Sequence, residues 1–228
     1  MKKLLLSTLF LLITTQNYSQ NSKIKYGIQA GVNYSTFLGY DIPKGFSPFY
    51  SESPAFAFLV GANFEYQIKE KWSLKLNLNY ERKSQKADNY IELSDVDGDT
   101  KNYTFTSRKI YNYLVLPIMA KYSFGNKNSF YVNGGPFVGY LLKSNVTNDL
   151  EKTDGLDNGS VKTTSFNNKA DFGLSIGLGK TIELNEGNSI FIEIRENLGL
   201  TNTSKSKVWG NGVARTNSLN LIVGFSLN

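Results

Sequence analysis

The chain has 228 residues, of which 40% are hydrophobic, with 25 basic against 19 acidic side chains and neither cysteine nor histidine. Without cysteine, an exported chain of this size must be stable without disulfides, and without histidine many enzyme classes are removed. The formal charge of +6, two units of which come from the lysines at positions 2 and 3, is too mild to point to nucleic acid.

Met1, Lys2 and Lys3 form a basic start, Leu4 to Ile13 is an apolar run broken only by Ser7 and Thr8, and Thr14 to Gln20 is polar and small. This pattern predicts a secretory signal peptide over residues 1–20, too short to span a membrane as a helix, with cleavage near Ser19 or Gln20. Residues 21–228 then form one domain.

The next three segments carry aromatic pairs spaced by eight residues: Tyr26 with Tyr34, Phe58 with Tyr66, and Trp72 with Tyr80. Between them Ile28, Ala30 and Val32, then Val60, Ala62 and Phe64, then Leu74, Leu76 and Leu78 share one face, and the alternate positions are mostly small or polar. Eight strand residues rising ~3.3 Å each and tilted by ~40° span roughly 20 Å, close to the ~25 Å apolar band and aromatic girdles of an outer-membrane barrel. Five further strands follow with the same period of two, over about Ile110 to Phe124, Ser129 to Leu142, Asp171 to Ile182, Ser189 to Leu200, and Thr216 to Leu227. Pro136 makes the fifth strand the weakest assignment.

The connectors Lys69 to Lys71, Gly125 to Asn128 and Glu183 to Asn188 are short, whereas Gly39 to Ala55, Lys83 to Lys109, Lys143 to Ala170 and Thr201 to Arg215 are long and polar. All the short turns fall on the side of the termini and all the long loops on the other. The prediction is an all-β, eight-stranded antiparallel up-and-down transmembrane β-barrel with long extracellular loops. Its setting is the outer membrane of a Gram-negative bacterium. The negative mean hydropathy does not oppose this, because barrels hide their lipid-facing residues in alternation.

The segments Tyr113-Leu-Val-Leu-Pro-Ile-Met-Ala-Lys-Tyr122, Tyr131-Val-Asn-Gly-Gly-Pro-Phe-Val-Gly-Tyr-Leu-Leu142, Asp171-Phe-Gly-Leu-Ser-Ile-Gly-Leu-Gly179 and Gly199-Leu-Thr-Asn202 give the chain, from about Tyr26 onward, a resemblance to the PorT-like outer-membrane β-barrel family. Glu196 stands where many relatives carry tyrosine, and the chain ends on Leu227 and Asn228 rather than on an aromatic. The resemblance implies an outer-membrane barrel from a family of mostly undefined activity, some members of which are tied to protein secretion.

Gly173-Leu-Ser175-Ile-Gly177 fits a nucleophile elbow on paper, but there is no histidine to serve as base, and strand continues where a helix is needed. Gly179-Lys180-Thr181 lacks the first glycine of a phosphate-binding loop. Asp95, Asp97 and Asp99 alternate around Gly98 as weak calcium candidates without a distal bidentate acid, and solvation of a loop tip explains them as well. The acids Asp149, Glu151, Asp154 and Asp157 of the following long loop read the same way.

Glu65, Lys75, Glu81, Lys121, Asp171, Glu193 and Arg195 all fall opposite the lipid face. An eight-stranded barrel has an interior only wide enough for side chains, so charges of both signs there predict an internal plug of paired ions. Glu193 with Arg195 is the first pair to expect. The function implied is non-enzymatic, without cofactor or structural metal: a structural, adhesive or accessory barrel held in outer-membrane lipid, inserted by the barrel-assembly machinery, and meeting a surface or secretion-complex protein through its loops. The alternatives are a small-solute pore and a soluble periplasmic calyx for an apolar ligand. A calyx would turn its leucines and valines inward.

Overall fold

The computed structural model describes residues 23–39, 45, 49–94, 100–149, 159–185, 187–206 and 212–227. The proposed signal peptide, Asp95, Asp97 and Asp99, and the acids at 151, 154 and 157 lie outside them. The strands are β1 (Ile24–Leu38), β2 (Tyr50–Lys69), β3 (Trp72–Ser94), β4 (Thr100–Phe124), β5 (Phe130–Asp149), β6 (Ser160–Lys162), β7 (Ala170–Asn185), β8 (Asn188–Gly199) and β9 (Arg215–Leu227). They form one antiparallel sheet in the order β4-β3-β2-β1-β9-β8-β7-β5-β6, and β4 also pairs with β5. The sheet is therefore barrel-like and up-and-down, with short 3-10 turns at Asn126–Asn128 and Thr164–Phe166 and no α-helix among the described residues.

The period-two pattern sorts side chains as the sequence predicts, with the apolar set outside. Ile28 is 70% exposed and Ile176 67%, while Glu193 is 0% and Arg195 1% exposed. Water would reverse that arrangement, because apolar exposure is unfavourable and buried charge more so; a lipid surround satisfies it. Aromatics on neighbouring strands meet at both ends of the apolar band. Tyr34 lies 4.8 Å from Phe56 and Phe58 6.1 Å from Tyr80 towards the loops; Trp72 lies 5.0 Å from Tyr122 and Phe124 6.1 Å from Phe130 towards the turns. These rows are the two girdles.

Three parts of the strand assignment need correction, the first being Gly39 to Ala55, predicted as a loop, where β2 is already paired with β3 from Tyr50↔Asn89 to Pro54↔Gln85. Lys83 to Lys109, predicted as a loop, is mostly strand, since β3 and β4 pair from Trp72↔Tyr122 out to Ser94↔Thr100. Beyond the membrane both faces of a hairpin can be wet, so pairing continues after the apolar alternation has ended. Likewise β5 runs on to Asp149 past a bulge opposite Asn112 and Tyr113, and takes on the short ninth strand β6 inside the stretch read as loop from Lys143 to Ala170. Pro136 is accommodated within β5: the β4–β5 ladder pairs Pro117 with Phe137 and resumes at Ala120 with Gly134, so the missing donor faces the interruption.

Candidate functional site

All seven charges predicted for the lumen point inward, and they fall into three tiers. Nearest the turns, Lys121 Nζ on β4 donates to both oxygens of Glu65 on β2, at 2.9 and 2.8 Å. Above them Glu193 on β8 collects Lys75 Nζ at 2.5 Å, Arg195 Nε at 2.5 Å, Tyr131 OH at 2.8 Å and Asn133 Nδ2 at 3.0 Å. Four donors on one carboxylate offset much of the cost of removing it from water.

The third tier contains a residue that the strand boundaries had assigned to a loop. Lys83 on β3 lies 3.9 Å from Glu81 Oε1 and 3.8 Å from Asp171 Oδ2, and donates to Thr216 Oγ1 at 3.0 Å. Ser218 Oγ and Asn197 Nδ2 donate to the two oxygens of Glu81 at 2.8 and 3.3 Å, and Thr216 Oγ1 donates to Asp171 Oδ2 at 2.7 Å. With Lys83 included, four carboxylates (Glu65, Glu81, Asp171, Glu193) face four cations (Lys75, Lys83, Lys121, Arg195), and the lumen set is neutral.

Aromatic side chains fill the space between the ions. Lys75 Nζ sits 4.3 Å from the Phe191 ring centre and 5.0 Å from that of Tyr131; Lys121 Nζ lies 4.4 Å from the Tyr131 ring centre, and Lys83 Nζ 5.3 Å from that of Phe137. These large rings fit because glycines oppose them. A Cβ on Gly179 would come within 2.3 Å of the Tyr131 ring, and one on Gly173 within 2.4 Å of Phe137. Gly173 of the hydrolase-like motif and Gly179 beyond it thus make room for the filling of the lumen, and Ser175 Oγ donates to Asn197 Oδ1 at 2.7 Å instead of facing a base.

A cup of about 680 Å³ opens at the turn end, lined by Lys25, Lys127, Glu183 and others, and its lining reaches Glu65, Ser73 and Lys121 but includes no residue of the Glu193 or Glu81 tiers. At the loop end Glu52 accepts from Lys109 Nζ at 2.8 Å, Gln85 Nε2 at 3.2 Å and Tyr50 OH at 2.7 Å, a fourth cluster that the sequence reading missed because it treated this stretch as irregular. Burial pushes the Tyr50 phenol up to about 12, so it remains a donor. Outside, Glu196 breaks the apolar face beside a groove lined by Trp72, Ala120, Gly134, Ile176 and Leu219.

Among solved structures, the chain is similar to Neisserial surface protein A, with 13% identity over 90% of this chain and 97% of that one and a TM-score of 0.41. It is also similar to OprG of Pseudomonas aeruginosa, at 15% identity over 92% and 98% with a TM-score of 0.41, and to Ail of Yersinia pestis, at 12% over 89% and 98% with a TM-score of 0.38. No curated protein sequence matches the chain. Residues 16–205 match the family described as outer membrane protein beta-barrel domain. With the match spanning most of its length and the oily face of its sheet turned outward, the chain belongs to that family and resides in the outer membrane of a Gram-negative bacterium.

Proposed function

We propose that the eight long strands close into a transmembrane barrel that does not conduct, a non-enzymatic outer-membrane protein acting through what it presents outside the cell as a structural, adhesive or accessory component. The observation that carries this reading is the neutral set of four carboxylates and four cations across the lumen.

The register supports closure. From Tyr34 the partners run through Leu219, Glu196, Ile176, Gly134, Ala120, Leu74 and Tyr66 to Ile24, back on β1 and ten residues earlier. For eight strands spaced ~4.8 Å with a ~3.3 Å rise, a stagger of that size gives a tilt of about 40° and a backbone radius of roughly 8 Å, a bore that side chains can fill. A calyx for an apolar ligand is disfavoured by its need for an oily interior, and a pore by the ion pairs across the bore. The PorT-like kinship, the leader over residues 1–20, insertion by the barrel-assembly machinery and a surface or secretion-complex partner belong to the same proposal.

Purified protein reconstituted into planar bilayers tests it. The expected result is heat-dependent gel mobility, as for a folded barrel, with no stable large-conductance channels. Stable wide channels from the wild-type protein would overturn the plug and favour solute transport.

A further inference from the structure

Above the loop-side girdle the outer face of the sheet changes character. Arg82, Lys86, Arg108, Lys143 and Lys162 lie on four adjacent strands, tied together by the register Arg82↔Asn112↔Lys143, Lys86↔Arg108 and Asn145↔Lys162. Directly opposed residues of an antiparallel pair share a face, and Arg82 and Lys86 follow Leu78 and Tyr80 at even spacing, so the Arg82, Lys86, Arg108 and Lys143 positions continue the lipid-facing side. Arg82 lies 5.9 Å above the Phe58 ring and Lys169 5.4 Å above that of Tyr140, so cations stand directly over girdle aromatics.

None of these six cations enters an ion pair among the described residues. On β3 the first carboxylates on this face, Asp88 and Glu92, come further out, and Asp88 already accepts from Thr106 at 2.8 Å. Counting from Tyr80 along a strand tilted by ~40°, Arg82 lies about 5 Å and Lys86 about 15 Å beyond the girdle. That is the depth of lipid headgroups and their phosphates. A belt of one sign at this level, without ion pairs among the described residues and facing the bilayer from several strands at once, is complementary to a dense anionic headgroup layer.

We propose that Arg82, Lys86, Arg108, Lys143, Lys162 and Lys169 form a binding surface for the phosphorylated headgroups of outer-leaflet glycolipid. The belt clamps phosphates against the outside of the barrel and so fixes the depth and orientation of the extracellular sheet. Arginine offers a planar fork to phosphate and lysine a mobile point charge, and the belt combines them.

The test uses the folded full-length protein in neutral detergent micelles, with bisphosphorylated lipid A, its dephosphorylated form, and heparin as a soluble polyanion. Wild type is expected to bind the bisphosphorylated lipid with salt-sensitive affinity, at least tenfold tighter than the dephosphorylated one. Lys86→Gln, Arg108→Gln, Lys143→Gln and Lys162→Gln should each weaken it about fivefold, which corresponds to ~1 kcal/mol per cation. Neutralising Lys71 and Lys127 at the turn end should change nothing, and heat-dependent gel mobility confirms that each variant is folded. Equal affinity for the two lipids by the wild type needs no variant and overturns the proposal. Unchanged binding by folded belt variants, or tighter binding of heparin than of micellar lipid A, overturns it as well.

Discussion

Lys83 offers the sharpest test of the lumen, because one ammonium stands between two carboxylates at 3.9 and 3.8 Å with its own exposure at 0%. At an effective dielectric of about 20, each contact is a gross attraction of about 4 kcal/mol. Lys83→Met keeps most of the length of the side chain while removing both contacts and leaving Glu81 and Asp171 with like charge and without their cation. Their hydroxyl and amide donors remain, and water entry and relaxation offset part of the loss, so the expected destabilisation is ~3–5 kcal/mol rather than the full gross sum. Adding Glu81→Gln and Asp171→Asn to the same chain removes the stranded charge, and the triple variant should return to within ~1.5 kcal/mol of wild type. Urea unfolding in detergent micelles, followed by tryptophan fluorescence and gel mobility, measures all three. A single variant within ~1 kcal/mol of wild type, or a triple variant as unstable as the single, would refute the view that Lys83 holds this tier together.

Other substitutions probe the remaining layers of the barrel. Leu76→Arg places a cation against lipid near mid-membrane and should cost ~2–4 kcal/mol, whereas Asn77→Ser loses the 3.1 Å bond to Gln29 and should cost ~1 kcal/mol; equal losses in urea titrations would refute the assignment of the two faces. Glu196→Leu should stabilise by ~1–2 kcal/mol, since it removes a carboxylate from the lipid face, and a lower unfolding midpoint would argue that Glu196 holds a partner there. Gly179→Ala, a change that often stabilises a strand, should cost ~1–3 kcal/mol because its Cβ meets the Tyr131 ring at 2.3 Å; a neutral result would show that the ring moves easily and the lumen is loosely filled.

The faces of β1, β2 and β3 were legible because lipid demands apolar side chains at every second position over a fixed span. Beyond the girdle that demand ends, and the paired tips of β3 and β4 read as loop although their backbones bond as regularly as those below. Lys83 was lost with them, yet it continues the inward series Lys75, Asn77, Asn79 and Glu81, and the seven charges placed in the lumen left four acids facing three bases. That imbalance was the signal of a missing cation. Pair identity was less legible: Glu193 with Arg195 could be read from spacing two apart, but Lys75 reaches Glu193 across 118 residues of chain, and only the register of intervening strands brings them together. The Glu52 cluster depends on the same unread pairing.

The uneven height of the rim has a consequence for approach from outside. β3 and β4 stay paired out to Ser94↔Thr100, some 35 Å past the level of Tyr80 by strand geometry, while β8 ends at Gly199 close to the membrane. The described rim is thus uneven, tallest at the β3–β4 hairpin, while beyond β8 the chain turns back, with Asn167 bridged to Ser204 and accepting from the Tyr111 hydroxyl. A molecule descending from above meets the β3–β4 side of the described rim first.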